Sequence, residues 1–148
     1  MEIKQSEVST SIVLHGQAKL VPESRRLEFL PMLFGEQLMI IGEMTVFSLM
    51  SKFSPDYHGG LWDFVEVPNG GYMRPSVSHD SRLYKFSCPD NWFEGEVSAD
   101  AAGIIVTLIA LSHMSFKDRT DRCADHFHAL RDFVDGHPEA SLIYRAID

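Results

Sequence analysis

The stretch from Ser98 to Met114, S-A-D-A-A-G-I-I-V-T-L-I-A-L-S-H-M, constrains the fold more than any other. From Ala101 to Leu111 it carries no charge, and its apolar residues cover the whole circumference of a helix instead of one stripe. A helix apolar on all sides belongs at the centre of the molecule, covered by other elements. Ser98 is placed to cap it, because its hydroxyl accepts a free amide of the first turn, and Asp100 adds negative charge near the positive end of the helix dipole. Gly103 costs about 1 kcal/mol of helix propensity against alanine. Its presence among alanines implies close approach of another element. The run is too short for a membrane span, which needs about 20 residues.

The rest of the chain must supply the cover. Between Leu61 and Val97 lie four strand-like runs, Leu61 to Val67, Gly71 to Arg74, Arg82 to Cys88 and Trp92 to Val97, of which the first is apolar on both faces and the last two alternate with period two. Short connections between them imply antiparallel neighbours. Pro68-Asn69-Gly70-Gly71 is turn chemistry and makes a hairpin of the first two. The Gly59-Gly60 pair lets the chain enter the first strand. Helical spacing predicts a helix over 36–52, stopped by Ser54-Pro55. Pro31 is read as a break in any helix before it. Ser11 to Leu14 reads as a short strand or part of a mobile tail. A further helix runs from about Thr120 to Val134, with Gly136 at its end, and a last short one follows His137-Pro138. Strands grouped before helices indicate an α+β fold. The expected architecture is a four-stranded antiparallel meander packed against several helices in one domain, 22–148, preceded by a weakly ordered segment, 1–21.

Composition excludes several functions. With 21 acidic and 13 basic residues among 148, the net charge is −8, which disfavours a nucleic-acid binder. The acids are scattered and often answered by neighbouring bases, as in D-R-T-D-R, so a decoy imitating DNA phosphates is the weaker alternative. Two cysteines without a C-x-x-C spacing suit a reducing compartment, and with no signal pattern at Met1 the expected location is cytoplasmic. Neither a phosphate-binding glycine loop nor a nucleophile signature occurs. Cys123, His126 and His128 raise the alternative of a metal-dependent hydrolase. On a helix, however, only Cys123 and His126 share a face, and zinc takes three or four ligands. No catalytic, cofactor or metal residues are therefore assigned.

Four motifs in order, R-L-E-F-L-P-M-L-F-G (26–35), Y-H-G-G-L-W-D-F-V-E-V-P-N-G-G-Y-M-R-P (57–75), S-A-D-A-A-G-I (98–104) and L-R-D-F-V-D-G-H-P-E-A with the closing A-I-D (130–148), resemble the ArdB/KlcA antirestriction proteins. His58 and the order M-R-P depart from the usual pattern at the hairpin. The resemblance implies a small α+β protein of plasmids and mobile elements that relieves host type I restriction–modification and protects incoming DNA. It implies no catalytic residues and no DNA mimicry. The expected partner is the host restriction–modification machinery or an associated host protein, with no direct nucleic-acid or membrane binding. Aromatic and charged residues at loop and terminal positions, where function concentrates, nominate Tyr57, Trp62, Asp63, Tyr72, Glu139 and Asp148 as the contact surface.

Overall fold

A computed structural model describes residues 14–76 and 82–148. The elements are β1 (Lys19–Leu20), α1 (Arg26–Phe34), α2 (Met39–Phe53), β2 (Trp62–Val67), β3 (Gly70–Pro75), β4 (Leu83–Cys88), β5 (Phe93–Ser98), α3 (Ala99–Ser115), α4 (Arg122–Val134) and α5 (Ala140–Ile147). Single turns of 3-10 helix precede α1 (Glu23–Arg25) and separate β4 from β5 (Pro89–Asn91). The segment proposed as Ser11 to Leu14 lies outside the described residues apart from Leu14, which has no regular structure.

The apolar helix α3 occupies the centre: Ala99 to Leu108 are all buried, and it packs on β3, α2, α4 and α5. Ser98 caps it as the sequence suggests, its hydroxyl accepting from the Ala101 amide at 3.0 Å. Gly103 marks the close approach. A Cβ there would lie 2.2 Å from the Met73 carbonyl and 2.5 Å from the Arg74 Cα. Helix spine and strand backbone are in direct contact.

That contact overturns the four-stranded meander. Among the described residues the strands form two sheets, a three-stranded one in the order β1-β2-β3 and a separate β4-β5 pair. The edge of β3 away from β2 is taken by α3, not by a fourth strand. Thr107 Oγ1 accepts from the Met73 amide (3.1 Å) and donates to the Met73 carbonyl (3.4 Å). A helix side chain thus fills a ladder position that β4 would need, one of the ways a sheet edge is closed. The central strand is β2, since β1 pairs on its other side (Lys19 with Glu66, Leu20 with Val65). In the β2–β3 hairpin Val67 faces Gly70, leaving Pro68-Asn69 as the loop. Asn69 is left-handed, φ 65°; proline followed by such a residue is the pattern of a type II turn. Gly71 is demanded by space, because a Cβ would meet the Val65 carbonyl at 2.5 Å and Phe29 at 2.7 Å.

The expected break at Pro31 does not occur: Pro31 sits inside α1. The carbonyl that its missing N–H leaves without a helix partner is that of Leu27, a residue 94% exposed, so water can serve it. At its other end α1 is held by α4. Arg122 Nη1 donates to the Met32 carbonyl (3.0 Å), His126 Nδ1 lies 2.9 Å from that of Leu33, and Cys123 Sγ lies 3.7 Å from that of Phe34. Three successive carbonyls at the helix end, which the helix itself cannot satisfy, are thus served by one turn of α4. Cys123 and His126 are used here, and His128 is exposed.

Candidate functional site

Three sequence motifs meet in one buried polar cluster. The strand motif G-G-Y-M-R-P brings Tyr72 and Arg74, the helix motif S-A-D-A-A-G brings Ser98 and Asp100, and D-G-H-P-E brings His137 and Glu139. Asp100 is the hub. Its Oδ1 accepts from the Tyr72 hydroxyl (2.6 Å) and from Arg74 Nη1 (2.8 Å), and its Oδ2 lies 2.8 Å from His137 Nε2. Arg74 also donates from Nε to Asp63 Oδ2 (3.1 Å), while the other Asp63 oxygen accepts from Ser76 (2.9 Å). The side chains of Arg74, His137 and Asp100 are 1%, 0% and 7% exposed.

Each position follows from local structure. Tyr72 and Arg74 are two apart on β3 and share a face. Asp100 and Gly103, three apart, share the face of α3 that lies on that strand. Where glycine lets the backbones touch, Asp100 is brought against Arg74. The third arm comes from the link between α4 and α5. His137 Nδ1 accepts from the Glu139 amide at 3.0 Å, and the Glu139 carboxylate in turn accepts from the Ser98 amide (3.0 Å) and hydroxyl (2.5 Å).

Electrostatics agree with an ionised, fully engaged carboxylate. Burial alone would raise Asp100, but the hydrogen bonds from His137 and Tyr72 and the charge of Arg74 outweigh it, so its carboxyl stays below the ordinary value. Burial, reinforced by the Asp100 charge, pushes the Tyr72 phenol far up, so Tyr72 remains a donor. Breaking such a pair on one side would leave an uncompensated buried charge.

Proximity also makes a metal site conceivable: His15, Asp100 and His137 have potential ligand atoms within 4.8 Å of one another, and the two imidazoles meet edge to face at 4.7 Å. The donor set does not fit. The Glu139 amide points at His137 Nδ1, so that nitrogen carries a lone pair and the ring proton sits on Nε2, directed at Asp100. A metal-bound histidine needs its second nitrogen as a donor, the reverse of this arrangement. His15 is held below its usual pKa, by burial first and by His137 second. The cluster occupies both nitrogens of His137 and both oxygens of Asp100, which leaves neither of these two side chains free to act as a base or an acid. It acts as a clasp joining β2, β3, α3 and the α4–α5 link.

The nominated contact residues divide accordingly. Asp63, Tyr72 and Glu139 belong to the clasp, and Tyr72 is fully buried. Trp62 is buried too, its indole N–H donating to the Tyr57 hydroxyl at 2.8 Å, with Phe47 packed against it at 5.3 Å. Tyr57 is half-buried and lines an open groove of about 460 Å³ with Phe47, Ser51, His58, Gly59, Gly60 and Trp62. Asp148 is exposed and paired with Arg131 through two bonds of 3.1 and 3.2 Å. Arg74, Asp100 and His137 were not nominated from sequence, although all three stand inside the motifs that carry the resemblance.

A family model for antirestriction proteins matches residues 55–148. Antirestriction protein KlcA of Escherichia coli is 43% identical over 136 residues, 88% of this chain and 94% of that protein. YafX of Escherichia coli K12, an uncharacterized protein, is 38% identical over 131 residues, 86% of this chain and 85% of its own. A solved structure of the KlcA and ArdB proteins, described as showing a novel fold and antirestriction activity against type I DNA restriction systems in vivo but not in vitro, has a TM-score of 0.78 at 41% identity, covering 88% of this chain and 94% of that one. The chain belongs to the antirestriction protein family.

Proposed function

We propose that this protein relieves restriction by host type I restriction–modification enzymes and so protects incoming unmodified DNA, by protein–protein contact and without catalysis. The observation that carries the reading is the 43% identity to KlcA across nearly the whole of both chains. The clasp supports the absence of catalysis: the Asp100 carboxylate and the His137 imidazole are each engaged at both polar atoms in the interior. The charge pattern supports contact with protein. Arg25 pairs with Glu66, Arg131 with Asp148, and Arg74 with Asp63 and Asp100, so among the described residues these four carboxylates are answered by arginine and do not stand free as phosphate substitutes. A relative active in vivo but not in vitro supports dependence on a host component beyond the restriction enzyme itself. On this reading Tyr57 and Asp148 lie on the contact surface, while Trp62, Asp63, Tyr72 and Glu139 hold the frame behind it.

The test is the plating of unmodified phage on a type I restricting host with and without the protein. Plating should rise when the protein is present and stay unchanged on a non-restricting host. Equal plating with and without it on the restricting host removes the reading.

A further inference from the structure

The turn between β4 and β5 ends on Trp92, which is 94% exposed. Its backbone is left-handed, φ 54° and ψ 34°, with its amide donating to the Pro89 carbonyl at 3.1 Å. Glycine or asparagine sits in that region with little strain, and a bulky side chain does not. One residue therefore combines a strained backbone with a solvated indole, and neither helps the fold. Its footing is firm. Cys88 and Phe93 on either side are buried and face each other across the hairpin. Asn91 Nδ2 donates to the Ala146 carbonyl at 2.6 Å, fastening the turn to α5. The indole is thus held outward on a fixed base, as an interface anchor requires: a large aromatic side chain whose ordering precedes binding.

The surroundings define what it fits. Asp90, Glu94 and Glu96 on the same hairpin are exposed. The nearby cations are Lys85, opposite Glu96, and Arg145, whose guanidinium lies 5.4 Å from the Phe93 ring centroid. Carboxylates outnumber cations here, in a chain of net charge −8. Stacking on a nucleic-acid base would bring phosphates against those carboxylates, which is unfavourable. We propose that Trp92 anchors the contact surface by inserting into an apolar pocket of a protein partner, a pocket rimmed by lysine or arginine that pairs with Asp90 and Glu94. This inference rests on the antirestriction reading and assigns it a surface.

The experiment scores plating of unmodified phage on a type I restricting host carrying the full chain, and melting of each purified variant. Trp92→Asn relaxes the backbone, so its melting temperature should equal or exceed that of the unsubstituted protein, while relief of restriction falls at least about tenfold, as for loss of a central interface aromatic. Trp92→Phe should keep most of the relief. Asp90→Lys with Glu94→Lys should lower it without altering melting. Full relief by Trp92→Asn overturns the inference and leaves the antirestriction reading standing, whereas no relief by the unsubstituted protein removes both. If Trp92→Asn melts low, the charge-reversed pair decides, and unchanged relief there overturns the inference. Quenching of indole emission by oligothymidylate that disappears in Trp92→Phe would also overturn it, in favour of a single-stranded nucleic acid.

Discussion

Replacing Gly103 by alanine would insert one methyl group where α3 lies on β3. In an exposed helix this change stabilises by about 1 kcal/mol. Here the new Cβ would stand 2.2 Å from the Met73 carbonyl and 2.5 Å from the Arg74 Cα and Cβ. Backbone on both sides cannot swing away as a side-chain tip would, so helix and strand must separate by about 1 Å to restore ordinary contact distances. Overpacking of this kind costs about 1–3 kcal/mol. The separation also stretches the Thr107 bonds to Met73, about 1 kcal/mol net, and the charge-assisted bond from Arg74 to Asp100, about 1.5–3 kcal/mol if lost. Set against the propensity gain, the net expectation is a loss of about 1–3 kcal/mol if the Arg74 bond survives and about 2.5–6 kcal/mol if it is lost, at roughly 2–4 °C of melting temperature for each kcal/mol in a domain of this size. Urea and thermal unfolding followed by circular dichroism measure it. Gly136→Ala, with nothing within 4 Å of its added Cβ, is the control and should stay within about 0.5 kcal/mol. A Gly103→Ala protein as stable as the parent would refute the claim that backbone contact between α3 and β3 sets the geometry of the clasp.

Asp100→Asn keeps the shape of the hub but removes the charge facing Arg74. The expected loss is about 3–5 kcal/mol, the cost of breaking a buried ion pair on one side, read from urea unfolding; a loss under about 1 kcal/mol would mean that Arg74 is compensated without it. Asp118 accepts from the amides of Thr120 and Cys123 at the start of α4, both 3.0 Å, and from the Thr120 hydroxyl at 2.8 Å. Partial burial pushes its carboxyl up, but those hydrogen bonds outweigh it and bring it down to about 2 from the ordinary 3.8. Its folded pKa is depressed, so its contribution to stability is complete above about pH 4 and disappears as pH falls through about 2. Asp118→Asn should therefore flatten the acid limb of stability between pH 4 and 2, and an unchanged slope there would show that the carboxylate does not anchor α4.

Much of this arrangement was legible where chemistry is local. The all-round apolar pattern placed α3 at the centre, Ser98 declared its cap, and Gly103 announced a close neighbour. What escaped depends on partners distant in sequence. Thr107 looks like a tolerated polar residue in an apolar helix, and only its meeting with Met73 shows that it closes β3 and divides the strands into two sheets. Asp100 fits the local rule for a charge near a helix start, yet its function is set by Tyr72, Arg74 and His137, up to 37 positions away. Pro31 follows the opposite logic. The local rule against proline in a helix was overridden because the carbonyl it leaves free belongs to an exposed residue, Leu27, while α4 secures the helix end. β1, only two residues long, has no periodicity to read.

The clasp also bears on where contact residues should be sought. The motifs by which the chain resembles its family supply Tyr72, Arg74, Ser98, Asp100, Gly103, His137 and Glu139, and these meet inside the molecule. A side chain buried with its hydrogen bonds satisfied cannot present itself to a partner without dismantling the fold, so substitution there would abolish activity through unfolding and reveal nothing about contact. Recognition has to reside on residues that the fold does not need. Trp92 meets that condition more sharply than any of the six nominated from sequence: replacing it removes no core contact, its backbone would relax on substitution, and its indole is almost wholly in water. Loss of relief by a Trp92 variant that melts at or above the parent temperature would therefore separate contact from stability, a separation that no substitution within the clasp can achieve.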